Sequence, residues 1–133
     1  MDILITIKPH HLHNIRIGAK KWELRRTKPT QIGEFEVPVR VYCCESGSGG
    51  KITAEFQCYH MRAVWNNDSD IKIAAEKACI SEREVRQYIG DKDFIYAWTI
   101  DNVIDYTRDK GNPIRHITEF GIERPPQSWC YIK

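Results

Sequence analysis

The chain opens on strict alternation: Ile3, Ile5 and Ile7 share one face, and Leu4, Thr6 and Lys8 the other. That period predicts a β-strand with one apolar face. Pro9 follows, where its missing N–H suits the first turn of a helix. Leu12, Ile15 and Ala19 recur at helical spacing, and Gly18 lies where such a helix ends. Residues 21–26 return to alternation, with Trp22 and Leu24 opposite Lys21, Glu23 and Arg25. A loop over 27–33 holds Pro29, and a third strand is expected over 37–44. The small and polar run over 45–50 reads as a mobile hairpin connection rather than a phosphate loop, since it lacks the Gly-Lys-Ser/Thr ending. Ile52, Ala54, Phe56 and Cys58 then alternate with polar positions in a fourth strand.

Beyond a polar break over 66–70, residues 71–78 predict a short helix. Ser81 and Glu84 have capping-box spacing, so a second helix starts there and closes near Gly90. Phe94, Tyr96, Trp98 and Ile100 alternate into a fifth strand reaching toward Tyr106, past a break at Asp101-Asn102. After a loop rich in Gly and Pro, residues 128–132 form a last strand. Strands outnumber helices, which predicts an α+β fold: a small mixed β-barrel of about six strands with short helices packed on its rim. At 133 residues the chain is expected to be one domain spanning 1–133.

Charge sharpens the picture only once it is located. Residues 8–28 hold seven basic side chains and one acid, a local +6 in a chain whose net charge is +2, which leaves −4 elsewhere. Charge concentrated in this way marks a binding face for an acidic partner, or else a solvated helix and strand edge. No apolar run is long enough to span a bilayer, and the N-terminus lacks a signal-peptide pattern, so a cytoplasmic protein that does not bind membranes is expected. The five cysteines are odd in number and form no C-x-x-C pair, which fits reduced, mostly buried thiols. Of His10, His11, His13, His60 and His116, the helical pair His10 and His13 at i, i+3 has no acidic residue or cysteine nearby in sequence and reads as exposed helix histidines, so neither a metal nor a cofactor is expected. Trp65, Tyr59 and Trp98 are candidates for stacking on bases, with core packing as the alternative, and Trp65 beside Asn66 is the best placed for exposure.

The densest candidate chemistry lies at Gly18-Ala19-Lys20-Lys21-Trp22-Glu23-Leu24-Arg25. A helix end brings Lys20 beside the strand face of Lys21, Glu23 and Arg25, so amine, carboxylate and guanidinium converge within one corner. Such a set can hold a phosphate and read a base edge. A salt-bridged strand face without ligand is the alternative.

Gly18, Lys20, Glu23 and Arg25 form a Gly-x-Lys-x-x-Glu-x-Arg pattern that resembles the signature of the ASCH domains, relatives of the PUA fold. The opening strand with its Lys8-Pro9 step is similar too. So is the stretch Arg124, Pro125, Pro126, Gln127, Ser128 and Trp129, which resembles the end of bacterial and phage members. The likeness runs the length of the chain. It implies a PUA-like barrel whose cleft, between the first helix and the sheet, binds RNA or a nucleotide. Lys8, Lys20, Lys21, Arg25 and Arg26 would serve as cations, with Glu23 and Ser128 orienting a base. One branch of the family resembles an amidohydrolase acting on acylated cytidine, and ribonuclease activity is ascribed to other members. Under either catalytic alternative Lys20, Glu23 and Glu76 are the candidates, although Glu23 stands where the amidohydrolase branch has a threonine nucleophile. The sequence leaves open whether the protein is an enzyme, and in what oligomeric state it works.

Overall fold

A computed structural model describes residues 2–29 and 38–132. Strand β1, Asp2–Ile7, runs parallel to β3, Val39–Glu45, and antiparallel to β9, Trp129–Ile132. β3 forms a hairpin with β4, Lys51–Cys58, and β4 also pairs with β7, Asp101–Asp105, and with the two-residue β8, Arg115–His116. A separate three-stranded sheet has the order β2 (Trp22–Arg25), β6 (Phe94–Thr99), β5 (Met61–Trp65). Helices α1 (Pro9–Arg16), α2 (Asp68–Ala78) and α3 (Glu82–Ile89) complete the order, with one 3-10 turn at Ile117–Phe120.

The mixed α+β class agrees with the sequence expectation. The described strands number nine rather than about six, and they pair as two sheets, so a closed barrel ladder is not seen among the described residues. Each difference has a local cause. β5 is short and carries apolar residues on both faces, which blurs its period: Met61 packs into the core between the sheets, while Val64, on the same face as Arg62, packs under α2 and α3. The expected fifth strand divides: Thr99 and Ile100 close the small sheet through bonds to His60 and Lys21 carbonyls, and Asn102 takes φ 51° where the chain crosses to β4. β8 is too short to carry any period. α2 starts three residues before the expected 71, because the Asn67 side chain accepts the Asp70 N–H at 2.8 Å. The expected third strand included Val37, which lies outside the described residues, as does the loop over 30–33.

Three apolar clusters order the layers. Ile3, Ile5, Val41, Phe56 and fully buried Trp98 fill the space between the two sheets, together with Leu12 and Ile15 of α1. Leu24, Ile95 and Ala97 on the other side of the small sheet meet α2 and α3. Leu4, Tyr42 and Ile52 line the far side of the large sheet against Ile117. At the β3–β4 turn Gly50 has φ 94°, and an added Cβ would lie 2.9 Å from Ile117 Cγ1, so both conformation and space exclude a side chain.

The capping box forms as expected: Ser81 Oγ accepts the Glu84 N–H at 3.1 Å, and Glu84 Oε1 accepts the Ser81 N–H at 3.4 Å. Ser81→Ala should therefore lower stability by about 1 kcal/mol, read as a shift of the urea midpoint with unchanged slope. An unshifted midpoint would show that the packing of α3, and not its cap, sets its stability.

Candidate functional site

α1 ends one turn before the spacing of Ala19 suggests. Gly18 takes φ 77°, and the Ala19 and Lys20 N–H groups both donate to Asn14 O at 3.0 Å. A left-handed residue is easiest for glycine, and it turns the chain from α1 into β2 within four residues. The turn leaves Ala19 exposed and sends the Lys20 side chain inward, where it is 3 % exposed.

Inside, Lys20 Nζ lies 3.1 Å from Glu23 Oε1 and donates to the Ala78 carbonyl at the end of α2, at 3.0 Å. The other carboxylate oxygen, Oε2, accepts from Arg25 Nε at 3.0 Å and from Arg25 Nη2 at 2.5 Å. Arg25 also donates to Ser128 O and Ser128 Oγ, each at 3.1 Å, and to Thr6 O at 3.0 Å. A guanidinium has five N–H groups, and these bonds engage all five. Arg25 thus ties β2 of the small sheet to the end of β1 and the entry of β9.

Glu23 and Arg25 are 6 % and 8 % exposed, so a cation–anion–cation triad is nearly buried. Burial alone would raise the Glu23 pKa, but the charge of Arg25, then that of Lys20, outweighs it and holds the carboxyl below its ordinary value. Glu23 is ionised at neutral pH. Its Oε1 has acceptor capacity beyond the Lys20 contact, and Lys20 has one N–H beyond its two bonds.

The triad forms the floor of an open cleft of about 740 Å³. Lys8 and Arg26 stand at its rim, both exposed, and Ser128 and Thr6 lie on the β9 side. This volume lies within the range of small-molecule binding sites. The structure therefore brings together Lys8, Lys20, Glu23, Arg25, Arg26 and Ser128 of the expected site residues. Lys21 is exposed and is not among the lining residues. Its backbone is tied to Lys77 O and to the Ile100 N–H just outside β2, where the period of the strand no longer directs the side chain. Glu76 is exposed on α2 and does not line the cleft either.

Other lining residues were not singled out from sequence as site residues, among them the polar side chains of His11, Glu84 and Tyr88. His11 lies one helical turn after Lys8. Burial first, then the charges of Lys20 and His10, lower its pKa, so the ring is neutral at pH 7. Its Nδ1 is buried without a hydrogen-bond partner. Glu84 and Tyr88 share one face of α3 at i, i+4 spacing, and no local period says that this face meets β2. Of the stacking candidates, Trp98 is fully buried in the core, Tyr59 is 39 % exposed and Trp65 is 51 % exposed. Cys43, Cys44 and Cys58 are buried free thiols, and burial pushes Cys58 up to about 11. Among the described residues no three His, Cys, Asp or Glu side chains gather at a metal-binding distance, and no helix is long and apolar enough to cross a membrane.

No protein-family model and no curated protein matches the chain in sequence. Solved structures do match in fold. An ASCH protein from Zymomonas mobilis superposes with a TM-score of 0.71 at 15 % identity, over 99 % of this chain and 87 % of that one. Two single-substitution variants of it, serine to alanine and tyrosine to phenylalanine, give TM-scores of 0.73 and 0.72 at 14 % and 16 % identity. They too are matched over 99 % of this chain, and over 88 % and 90 % of their own. The resemblance in the motifs is met at the level of fold.

Proposed function

We propose that this chain, built on the ASCH fold, is a nucleic-acid-binding module that holds one nucleotide of an RNA in the cleft between α1, β2 and α3. The observation that carries this reading is the buried Lys20–Glu23–Arg25 triad on an open cleft floor. A buried ion triad is a poor source of stability, because desolvation offsets most of the Coulomb gain. Its use is to present fixed polar groups to a ligand. Glu23 offers an acceptor for an exocyclic amine, and Lys20 a donor for a neighbouring ring nitrogen or carbonyl. The exposed amine of Lys8 and guanidinium of Arg26 suit the adjoining phosphate. Arg25 has no N–H left for phosphate, so its part is to hold Glu23 and Ser128 in place.

Fluorescence anisotropy with a labelled RNA octamer tests the reading. Affinity should fall steeply with salt, since each neutralised phosphate adds about −0.7 to the slope of log K against log salt. Lys20→Ala should weaken binding at least about tenfold, the loss of one charge-assisted hydrogen bond. Lys8→Ala should mainly lower the salt slope. If folded Lys20→Ala, checked by circular dichroism, binds as the wild type does, the cleft is not the RNA site.

A hydrolase reading draws on a different observation, the neutral His11 ring in the same cleft, whose Nδ1 has no hydrogen-bond partner. Here His11 would take a proton from water while Lys20 stabilises developing negative charge. Turnover of RNA or of acylated cytidine that is lost in His11→Asn would move the function from binding to catalysis.

A further inference from the structure

The small sheet carries more than the cleft floor. In the antiparallel register of β2, β6 and β5, directly opposed residues share a face: Glu23 with Trp98, Arg25 with Tyr96, Tyr96 with Ala63, and Phe94 with Trp65. Trp98 and Met61 at one end of that face are buried in the core. At the other end the same face emerges as Tyr96, Phe94 and Trp65. Phe94 lies 4.9 Å from the Trp65 ring and meets Tyr96 edge-on at 5.4 Å. Phe94 and Tyr96 line a second cavity of about 460 Å³, with Lys28, Lys92 and Asp93. Arg26 and Thr27 line both this cavity and the cleft, so the two adjoin.

The cations are placed against rings. The Arg26 guanidinium stacks 4.2 Å from the Tyr88 centroid, and Lys28 Nζ lies 5.5 Å from that of Tyr96. Arg26, Lys28 and Lys92 outnumber the single carboxylate of Asp93 in the lining. Aromatic faces interleaved with cations suit successive bases joined by phosphates. An acidic peptide would find the charge but no use for three neighbouring rings.

We propose that this aromatic end of the small sheet is a second nucleotide subsite, so that the ligand is a single strand of at least two nucleotides rather than a free nucleotide. The base flanking the one in the cleft stacks on Trp65 and Phe94. The phosphate between them lies by Arg26, and the next near Lys28 and Lys92. This rests on the cleft reading above and names its ligand class.

The test compares two probes, cytidine monophosphate and a labelled cytidine octamer, on the whole chain. Trp65→Ala should weaken the octamer about tenfold and leave the mononucleotide affinity unchanged, since one stacked base is lost. Trp65→Phe should restore most of the loss. Lys92→Ala should lower the octamer salt slope by about 0.7. Lys20→Ala should weaken both probes. If Trp65→Ala and Lys92→Ala bind the octamer as the wild type does while Lys20→Ala does not, the second subsite is overturned and the cleft reading stands. If the wild type binds the mononucleotide no less tightly than the octamer, the subsite is likewise overturned. Absence of binding by either probe removes both readings.

Discussion

Glu23→Ala should lower the unfolding free energy by about 3–5 kcal/mol, because it leaves the ammonium of Lys20 and the guanidinium of Arg25 buried without their counter-ion. Glu23→Gln keeps the shape and removes only the charge, so its cost isolates the electrostatic part. The pH dependence has a definite sign. The Glu23 carboxyl is held below its ordinary 4.5 in the fold, so the unfolded chain takes up its proton first as pH falls. Its stabilisation is complete above about pH 4.5 and is lost as pH drops through the folded value. Asp105 and Glu119 are also held below their ordinary ranges, so the wild-type acid limb mixes several groups. The difference between wild type and Glu23→Gln removes them. It should be flat from pH 5 to 8 and shrink below 4.5, where protonated Glu23 comes to resemble glutamine. Urea unfolding at each pH measures it, and a difference that does not change with pH would show that the triad adds no charge-dependent stability. The isosteric variant also bears on ligand reading. If Glu23 accepts an exocyclic amine, Glu23→Gln should weaken cytosine and adenine homopolymers relative to uracil. A uniform gain in affinity would reduce Glu23 to a counter-ion.

Arg25→Lys should cost about 3 kcal/mol although it conserves charge. The guanidinium joins Glu23, Thr6 O, Ser128 O and Ser128 Oγ with five N–H groups in one plane. An ammonium has three donors on a shorter, non-planar head, so at least one part-buried carbonyl loses its partner, at about 1–3 kcal/mol each. The damage should be directional. Thr6 N donates to Ser128 O at 3.0 Å, and β9 pairs only with β1 among the described strands. Amide hydrogen exchange over residues 129–132 should accelerate in Arg25→Lys, while Ser81→Ala, remote from β9, should leave those amides unchanged. Full stability with slow exchange in β9 would mean that β1 pairing alone anchors the C-terminal strand.

The local elements were legible wherever one period or one cap dominates. Ile3, Ile5 and Ile7 announce β1, Pro9 and Gly18 bracket α1, and Ser81 with Glu84 announces α3. Gly18, Lys20, Glu23 and Arg25 were legible as a group because a helix end and a strand face lie within eight residues. Lys21 shows the limit of that reasoning. The two-residue period placed it with Glu23 and Arg25, but β2 begins only at Trp22, and contacts from α2 and Ile100 take hold of the Lys21 backbone.

What the sequence determined by itself is the α+β class, most strands, and the concentration of charge near residue 20. Long-range contact decided the rest. Met61–Trp65 is a strand because β6 lies beside it, and residues 94–105 are two strands because the small sheet ends where β4 becomes available. Glu84 and Tyr88 enter the cleft because α2 sets α3 against β2, and Ser128 enters because Arg25 reaches it across 103 residues. Whether a charged side chain is solvated or buried follows from its neighbours in space. Lys20 and Lys21 are adjacent in the chain and chemically identical, and only the packing of α2 against β2 buries the first and exposes the second.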